Sequence, residues 1–296
     1  MRVFMTGASG FLGRAIGEAL LARGLAVVGL SRSGQAPRGV EAVTGDPAVP
    51  GEWQQALAEC DAVVHLAGEP VAGARWTDER KQAIRRSRAE GTRQVVAAMA
   101  AASRPRVLVS ASGVDYYPFD PSDRRYTEED GAAATFLAEV CRDWEAAALA
   151  AAEHGTRAAV LRIGVVLGHG GGAMSKLAPL FRRFAGGPIG SGRQWMSWVH
   201  VDDVAGACLH ALDTEGVRGP VNVVAGNQRQ ADFARALGDV LKRPSWLPVP
   251  AVALRLAVGE LADYLLHGRV VAADVLARSG YAFKHPELTA ALAASV

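Results

Sequence analysis

Short apolar runs alternate with longer amphipathic stretches through the first two-thirds of this chain of 296 residues. The apolar runs show little polar alternation, as expected for strands that a parallel sheet buries on both faces. They predict strands at 3–6, 26–31, 40–44, 62–66, 106–110 and 158–163. Apolar residues at helical spacing predict helices at 11–23, 52–60, 77–102 and 138–154. This alternation predicts an α/β fold built on a Rossmann-type doubly wound parallel sheet.

The rhythm of the pattern changes after Gly168. The glycines of GHGGG form a hinge-like stretch, helix-like runs follow at 175–185 and 203–213, and a strand-like run stands at 221–225. From Gln230 onward the pattern predicts short helices separated by prolines. We therefore predict a Rossmann domain formed by 1–169 and 201–225, and a smaller, mostly helical C-terminal substrate lobe formed by 170–200 and 226–296.

Composition narrows the classes of function. Half of the residues are hydrophobic and 21% are charged, which is ordinary for a globular protein. The net charge is +2 and basic and acidic residues are interspersed, so the sequence shows no basic patch for nucleic acid. Cys60, Cys141 and Cys208 stand far apart, so we predict reducing surroundings and no metal site. The opening MRVFMTG runs directly into a strand, and Arg255 and Glu260 interrupt the longest apolar stretch. These features predict a cytoplasmic protein with no membrane or nucleic-acid partner.

The segment TGASGFLG places three glycines after the first strand, at the start of the first helix. Gly7 permits a tight turn, Gly10 lets backbone N–H groups approach a pyrophosphate, and Gly13 lets the helix pack close to the strand. The helix N-terminus adds the positive end of its dipole. We predict a dinucleotide site with contacts from Gly7, Ser9, Gly10, Phe11, Leu12 and Gly13.

The end of the second strand indicates which dinucleotide binds. In AVVGLSRSG, Ser31 and Arg32 stand where an NAD-specific site would carry a carboxylate for the ribose 2′-hydroxyl. A guanidinium beside a hydroxyl suits a 2′-phosphate, so we predict NADP(H); the alternative is a solvated surface arginine. Asp46 either accepts a hydrogen bond from the adenine amino group or starts a turn before Pro47. His65 of HLAG lies at the carboxyl edge of the sheet, where a core role is favoured over catalysis.

Longer motifs follow in order along the chain. They are HLAGEPVAGARWT, SRAEGT, VSAS, FLAEVCRDWEAAA, LRIGVVLGHGGGAMSK, GGPIGSGRQWMSWVHVDD, and LADYLLHGRVV with GYAFKHPEL. With these motifs the chain resembles, over nearly its whole length, the extended short-chain dehydrogenases/reductases. Within them it is similar to an epimerase-like (sugar-nucleotide-epimerase-like) branch that carries a C-terminal domain of unknown function.

This resemblance implies further contacts and a possible assembly. The implied cofactor contacts, besides Ser31 and Arg32, come from Leu66, Ala67, Gly68, Ala83, Arg88, Ser110 and Val166. Arg88 has the alternative of an ordinary surface charge on its helix. The resemblance also implies a homodimer that pairs through helices 77–102 and 138–154.

The catalytic pair of this superfamily is absent. Its reductases use a tyrosine as general acid/base and a lysine four residues later, which lowers the pKa of the tyrosine. In TFLAEVC these places hold Phe136 and Val140, and none of the five tyrosines has a lysine four residues later. Any chemistry must therefore run without this pair.

Other residues remain as catalytic candidates. The resemblance matches Ser110 and Ser112 to the superfamily's active-site serine, and Tyr116 and Tyr117 follow directly. We predict catalytic roles for Ser112, Tyr116 and Tyr117, with packing as the alternative role of the tyrosines. A tyrosine without a cationic partner keeps a pKa of about 10 and is a poor base at neutral pH.

Two loops offer charge and aromatic surface for a substrate. We predict contacts from Arg75 and Trp76 in one loop and from Arg193 and Trp198 in the other, unless the tryptophans occupy core positions. Lys176 either swings into the cleft or lies on an ordinary helix face. In HVDD we expect a turn from strand to helix, with an aspartate capping the helix.

Two functions are compatible with these features. The first is an NADP(H)-binding epimerase or oxidoreductase for a small polar or sugar-derived substrate. The second is a non-catalytic, NADP(H)-responsive binding or regulatory protein. The missing pair favours the second function, whereas the serine, the tyrosine pair and the polar aromatic loops favour the first.

Overall fold

The computed structural model describes residues 1–102, 104 and 106–296. Over these residues the strands are β1 Arg2–Thr6, β2 Ala26–Ser31, β3 Glu41–Thr44, β4 Ala62–His65, β5 Val107–Gly113, β6 Arg125–Tyr126, β7 Arg157–Ile163, β8 Val165–Leu167, β9 Trp195–His200, β10 Gly219–Val223, β11 Gly226–Arg229 and β12 Val270–Val271. The α-helices are α1 Phe11–Ala22, α2 Trp53–Ala58, α3 Asp78–Ala101, α4 Phe136–Leu149, α5 Met174–Arg182, α6 Val201–Asp213, α7 Gln230–Leu241, α8 Ala251–Val258, α9 Leu261–Leu266, α10 Asp274–Arg278 and α11 Leu288–Ser295.

Seven strands form one parallel sheet in the order β10-β7-β5-β4-β1-β2-β3. From β1 the chain moves outward to β2 and β3 and then returns to β4 on the other side of β1. Where the strand order reverses in this way, the loops that leave the carboxyl ends diverge and open a crevice for a ligand. The predicted Rossmann-type parallel sheet is confirmed.

Helices bury both faces of this sheet. On one face, Ile16 of α1 and Cys208 of α6 share a core with Met5 of β1. On the other face, Trp53 of α2 and Val95 of α3 belong to a second core. Because both faces are covered, the strands are continuous apolar runs in the sequence.

Two predicted elements have different ends, and both differences affect the cleft. β5 continues past the predicted end to Gly113, which brings Ser112 into register with Arg162 of β7. The helix predicted at 138–154 begins earlier, at Phe136, and its α-helical part ends at Leu149. A 3-10 turn then runs to His154, and Gly155, with a φ of +72°, ends it.

More strands lie outside the seven-stranded sheet than the pattern predicted. β8, β9 and β11 form a three-stranded sheet, and β12 pairs with β6. β11 is polar and β12 has only two residues, so no apolar run marks either of them in the sequence. Between β9 and β11, α6 packs against α1 and β10 pairs with β7, so this segment rejoins the main sheet. Within the described residues, no helix combines the length and the apolar character that crossing a bilayer requires.

Candidate functional site

The glycine loop after β1 has the geometry of an anion-binding turn. Gly7 has a φ of +69°, and a Cβ there would lie 3.1 Å from the backbone of Leu66 and Ala67. A Cβ at Gly13 would overlap the carbonyl oxygen of Gly7. Gly10 precedes α1, its N-cap position carries no side-chain cap from the described residues, and the first N–H groups of the helix have no intrahelical acceptors. These donors suit a pyrophosphate.

A buried hydrogen-bond chain fixes the neighbouring β4 end. The Thr6 hydroxyl accepts the N–H groups of Leu66 and Ala67, each at 3.1 Å, and lies 2.8 Å from Nδ1 of His65. Burial, with a smaller contribution from the charge of Arg88, lowers the pKa of His65 to about 4. The ring is therefore neutral at physiological pH, and the Thr6 hydroxyl donates to Nδ1. His65 has the core role that the sequence favoured.

The glycines predicted as a hinge pack against the nucleotide loop. A Cβ at Gly171 would overlap the ring of Phe11, and one at Gly168 would lie 2.8 Å from the same ring. Ser9 is exposed, and Leu12 is partly buried against the main core. The absence of side chains at Gly168 and Gly171 therefore lets this segment lie directly on Phe11.

At the end of β2, the two residues predicted to contact the 2′-phosphate, Ser31 and Arg32, differ in accessibility. Arg32 is 73% exposed, and its nearest carboxylate is that of Glu69, at 3.7 Å. The hydroxyl of Ser31 is buried and donates to the carbonyl of Gln35 at 2.7 Å, so its hydrogen is committed to the loop. Asp46 accepts the N–H of Ala48, which is the turn-forming alternative. Arg32 therefore offers an accessible cation at this edge of the sheet.

Arg88 reaches from α3 to the loop after β4. Its guanidinium donates to the carbonyl of Glu69 at 2.9 Å and lies 3.0 Å from the place of a Cβ at Gly68. It also covers the ring of Trp144 at 5.1 Å. Burial lowers the pKa of Arg88. Arg88 is thus packed beneath the loop, and the surface-charge alternative does not describe it.

The remaining predicted cofactor residues differ in exposure. Ala83 is exposed on α3. Val166 is partly buried on β8, and its carbonyl accepts the N–H of Ala173 at 3.1 Å. Ser110 is fully buried, and its hydroxyl donates to the carbonyl of Ala111 at 3.3 Å. The glycine loop, the free N–H groups of α1 and the exposed Arg32 together fit a dinucleotide with an additional phosphate.

A buried polar network lies behind the cleft, between β5, β7 and α4. Arg162 donates to both oxygens of Glu145, at 2.9 and 2.7 Å, and to the hydroxyl of Tyr117 at 2.7 Å. Ser112 donates to Glu145 at 2.7 Å, and Tyr117 donates to Asn222 at 2.8 Å. Burial lowers the pKa of Arg162, but the hydrogen bond and charge of Glu145 outweigh burial and raise it above its ordinary value.

This network holds the three predicted catalytic residues. Tyr117 is fully buried, and burial raises its pKa to about 12 although Arg162 lowers it. The guanidinium of Arg162 covers the ring of Tyr116 at 3.6 Å. Ser112 is 6% exposed, and its hydrogen points to Glu145. The packing and hydrogen-bonding alternative therefore describes Tyr117, because a fully enclosed hydroxyl has no route to a substrate.

Phe136 fills the place of the missing tyrosine, and Lys81 and Tyr264, which the sequence did not indicate, lie close to it. The ring of Phe136 packs edge-on against Trp76 at 5.1 Å, and the Lys81 ammonium lies 5.4 Å from the Phe136 centroid. Tyr264 lies 5.5 Å from Trp76, and its hydroxyl accepts the N–H of Leu137 at 3.0 Å. We call Trp76, Lys81, Phe136 and Tyr264 the Phe136 cluster.

Two distant parts of the chain build the Phe136 cluster. Lys81 stands in the first turn of α3, and Tyr264 belongs to α9 of the C-terminal lobe. Glu260, just before α9, pairs with Lys81 at 2.6 Å. Burial raises the pKa of Tyr264 above its ordinary value. A lysine and a tyrosine thus stand together near α4, but they come from separate elements rather than from one helix.

The predicted substrate residues do not all share one surface. Arg75 is exposed, and its guanidinium lies beside Gly259, close to the Phe136 cluster that contains Trp76. Arg193 and Lys176 are exposed on other parts of the lobe. Trp198 is 1% exposed in the core of the lobe, which corrects its predicted place on the substrate side. Its ring packs against Gly226, where a Cβ would lie 2.8 Å away.

The residues of HVDD connect the start of α6 to the segment 284–285 by hydrogen bonds. His200, rather than an aspartate, caps α6 by accepting the N–H of Asp202 at 3.2 Å. Asp203 instead accepts the N–H groups of Lys284 and His285, at 2.5 and 3.0 Å. Possible ligand atoms of His200, Asp202 and His285 lie within 4.8 Å of one another, but the Lys284 ammonium already pairs with Asp202 at 2.7 Å. Burial lowers the pKa of His200.

Comparisons with known proteins agree with this geometry. The family model described as NAD dependent epimerase/dehydratase family matches residues 3–225, and the model described as Domain of unknown function (DUF1731) matches residues 249–295. The chain is 40% identical over 302 residues to the epimerase family protein SDR39U1 homolog, chloroplastic, of Arabidopsis thaliana, covering 99% of this chain and 86% of that protein. It is 39% identical over 300 residues to epimerase family protein SDR39U1 of Bos taurus, covering 99% and 98%.

A solved structure is similar over the whole chain. The crystal structure of human epimerase family protein SDR39U1 (isoform 2) with NADPH matches with a TM-score of 0.88 and 34% identity. The match covers 100% of this chain and 99% of that one.

Proposed function

Because this chain belongs to the NAD dependent epimerase/dehydratase family, we propose that it binds NADP(H) and acts as an epimerase or oxidoreductase on a small polar or sugar-derived substrate. The observation that carries the cofactor assignment is the exposed Arg32 at the end of β2, beside a glycine loop that fits a pyrophosphate. The human relative was crystallised with NADPH, which supports the same cofactor here.

The chain's own residues would hold the dinucleotide in three places. The N–H groups at the start of α1 receive the pyrophosphate, and Arg32 receives the 2′-phosphate. Gly7 leaves room for the backbone of Leu66 and Ala67 at the adenosine side. When bound, the nicotinamide supplies or accepts a hydride. We assign the proton transfer that accompanies this hydride transfer to side chains near the start of α4.

We assign the proton-handling role to the Phe136 cluster. The Lys81 ammonium is 26% exposed and carries three N–H donors, so besides its ion pair with Glu260 it can donate to an oxygen atom of a bound substrate. Tyr264 offers a hydroxyl as a second candidate donor, close to the N-terminus of α4. Ser112 is less suited, because it already donates its hydrogen to Glu145. Arg75 lies beside this cluster and can pair with an anionic substrate group.

Replacing Lys81 with methionine tests this assignment. We expect NADPH-dependent turnover to fall by about a hundredfold or more, the usual contribution of a general acid, while the Kd of NADPH stays within about twofold, because Lys81 stands away from the phosphate contacts. The assay follows NADPH absorbance against a panel of nucleotide sugars and small sugar-derived carbonyl compounds. Arg86→Met, an exposed cation of the same helix, is the matched control.

Three outcomes separate the hypotheses. Loss of turnover in Lys81→Met with normal activity in Arg86→Met supports the assignment. If both variants turn over substrate like wild type, Lys81 has no role in the mechanism, and Tyr264→Phe is the next test. Wild-type protein that binds NADPH but turns over no member of the panel favours the non-catalytic, NADP(H)-responsive protein.

That second function has an observation in its favour. The aromatic rings of Trp76, Phe136 and Tyr264 fill the position where a reductase has its catalytic tyrosine. A binding protein would keep such a packed cluster and would have no need of a proton donor. Pairing of two copies through α3 and α4, and a cytoplasmic location, stay predictions.

A further inference from the structure

One surface of the C-terminal lobe is both apolar and exposed. It is formed by the end of α5, the segment after α7 and the whole of α8, none of whose residues is buried. Its large exposed side chains are Leu180, Phe184, Trp246, Leu247, Val252 and Leu256. We call this surface the α5–α8 surface.

The α5–α8 surface is continuous. The guanidinium of Arg243 covers the ring of Phe184 at 4.9 Å, which joins the end of α5 to the end of α7. The N–H of Leu247 donates to the carbonyl of Gly186 at 3.3 Å, and Val249 forms a bridge with Ile189. α8 follows two residues after Val249, so its exposed face continues the same surface.

The charges of the α5–α8 surface have one sign. Segments 180–185 and 242–258 contain five basic residues and no acidic residue, although the whole chain carries only +2. They are Arg182, Arg183, Lys242, Arg243 and Arg255. Arg255 pairs with Asp263 at 3.1 Å, whereas the other four form no ion pair with the described residues. The rest of the chain is therefore net negative, and the positive charge is concentrated here.

We propose that the α5–α8 surface docks on an anionic lipid bilayer. Trp and Phe side chains with unpaired Arg and Lys beside them match the interface between acyl chains and acidic headgroups. A second copy of this chain fits less well, because a symmetric contact would bring like charges together. Docking of this kind needs no membrane-spanning helix, and it replaces the expectation of no membrane partner with one of peripheral contact.

Vesicle sedimentation tests the proposal. We expect the full chain to sediment with vesicles of phosphatidylcholine mixed with phosphatidylglycerol, and to be released by high salt, which screens the attraction. Arg183→Glu should weaken binding by more than about fivefold, because the loss of one positive charge alone costs about that much and the new carboxylate adds repulsion. Trp246→Ser with Leu256→Ser should weaken it by about tenfold or more, because two interfacial anchors are lost.

Controls keep the result interpretable. Val49→Ser alters a side chain that is 50% exposed elsewhere on the molecule and should leave sedimentation unchanged. Thermal unfolding of each variant checks that the exposed substitutions leave the fold intact. The proposal is overturned if wild-type protein fails to sediment with acidic vesicles at low salt, or if the Trp246 and Leu256 double variant sediments like wild type. Binding of a soluble acidic amphipathic peptide without vesicle binding would assign the surface to a protein partner instead.

Discussion

Arg162→Met is expected to lower the free energy of unfolding by about 3–5 kcal/mol, the usual cost of removing one partner of a buried ion pair. Arg162 and Glu145 have side chains only 2% and 5% exposed, and the guanidinium donates to both carboxylate oxygens. Without Arg162, Glu145 keeps a single donor, Ser112, and an uncompensated charge in the interior. Urea denaturation followed by circular dichroism measures the difference.

Two further variants separate the charge from the rest of the network. Arg162→Met with Glu145→Met should recover part of the lost stability, since no unpaired charge then remains. Tyr117→Phe removes one hydroxyl, leaves Asn222 and Arg162 each without one partner, and should cost about 1–3 kcal/mol. A loss below about 1 kcal/mol in Arg162→Met would mean that water enters this part of the structure.

Gly13→Ala is expected to weaken dinucleotide binding by about tenfold to a hundredfold, in line with the 1–3 kcal/mol that overpacking typically costs. The added Cβ would overlap the carbonyl oxygen of Gly7, so either the turn after β1 or the start of α1 must move. Both of these supply the backbone groups that we assign to the pyrophosphate. Fluorescence titration with NADPH gives the change in Kd.

Gly216→Ala is the matched control for Gly13→Ala. Apart from its own chain neighbours, no described residue has a heavy atom within 4 Å of the place of a Cβ at Gly216, and Gly216 does not have positive φ. The control should bind NADPH like wild type. Unchanged binding in Gly13→Ala would remove the glycine loop from the cofactor site.

The sequence predicted the main sheet and the glycine loop because local patterns of neighbouring residues determine both. Buried parallel strands are continuous apolar runs, and the helices between them repeat at helical spacing. The roles of Gly7 and Gly13 follow from their places between β1 and α1, and the structure gives each the crowding that excludes a side chain. Such local features do not depend on how distant parts of the chain meet.

The network and the Phe136 cluster could not be predicted in the same way. Ser112 meets Glu145 only because β5 lies beside β7 in one register and α4 packs across them, and register is a property of the assembled sheet. Tyr264 reaches Leu137 because α9 of the lobe folds back over α4. The presence of tyrosines was visible in the sequence, but which of them is buried was not.

Isothermal titration calorimetry of the purified chain with NADPH and NADH tests the central claim most directly. We expect NADPH to bind more tightly by about tenfold to a hundredfold, the contribution of a charge-assisted hydrogen bond to the 2′-phosphate. Arg32→Ala should remove that preference and leave the Kd of NADH unchanged. Equal affinities in the wild-type chain, or a preference for NADPH that survives Arg32→Ala, would contradict the assignment of Arg32 as the residue that selects NADP(H).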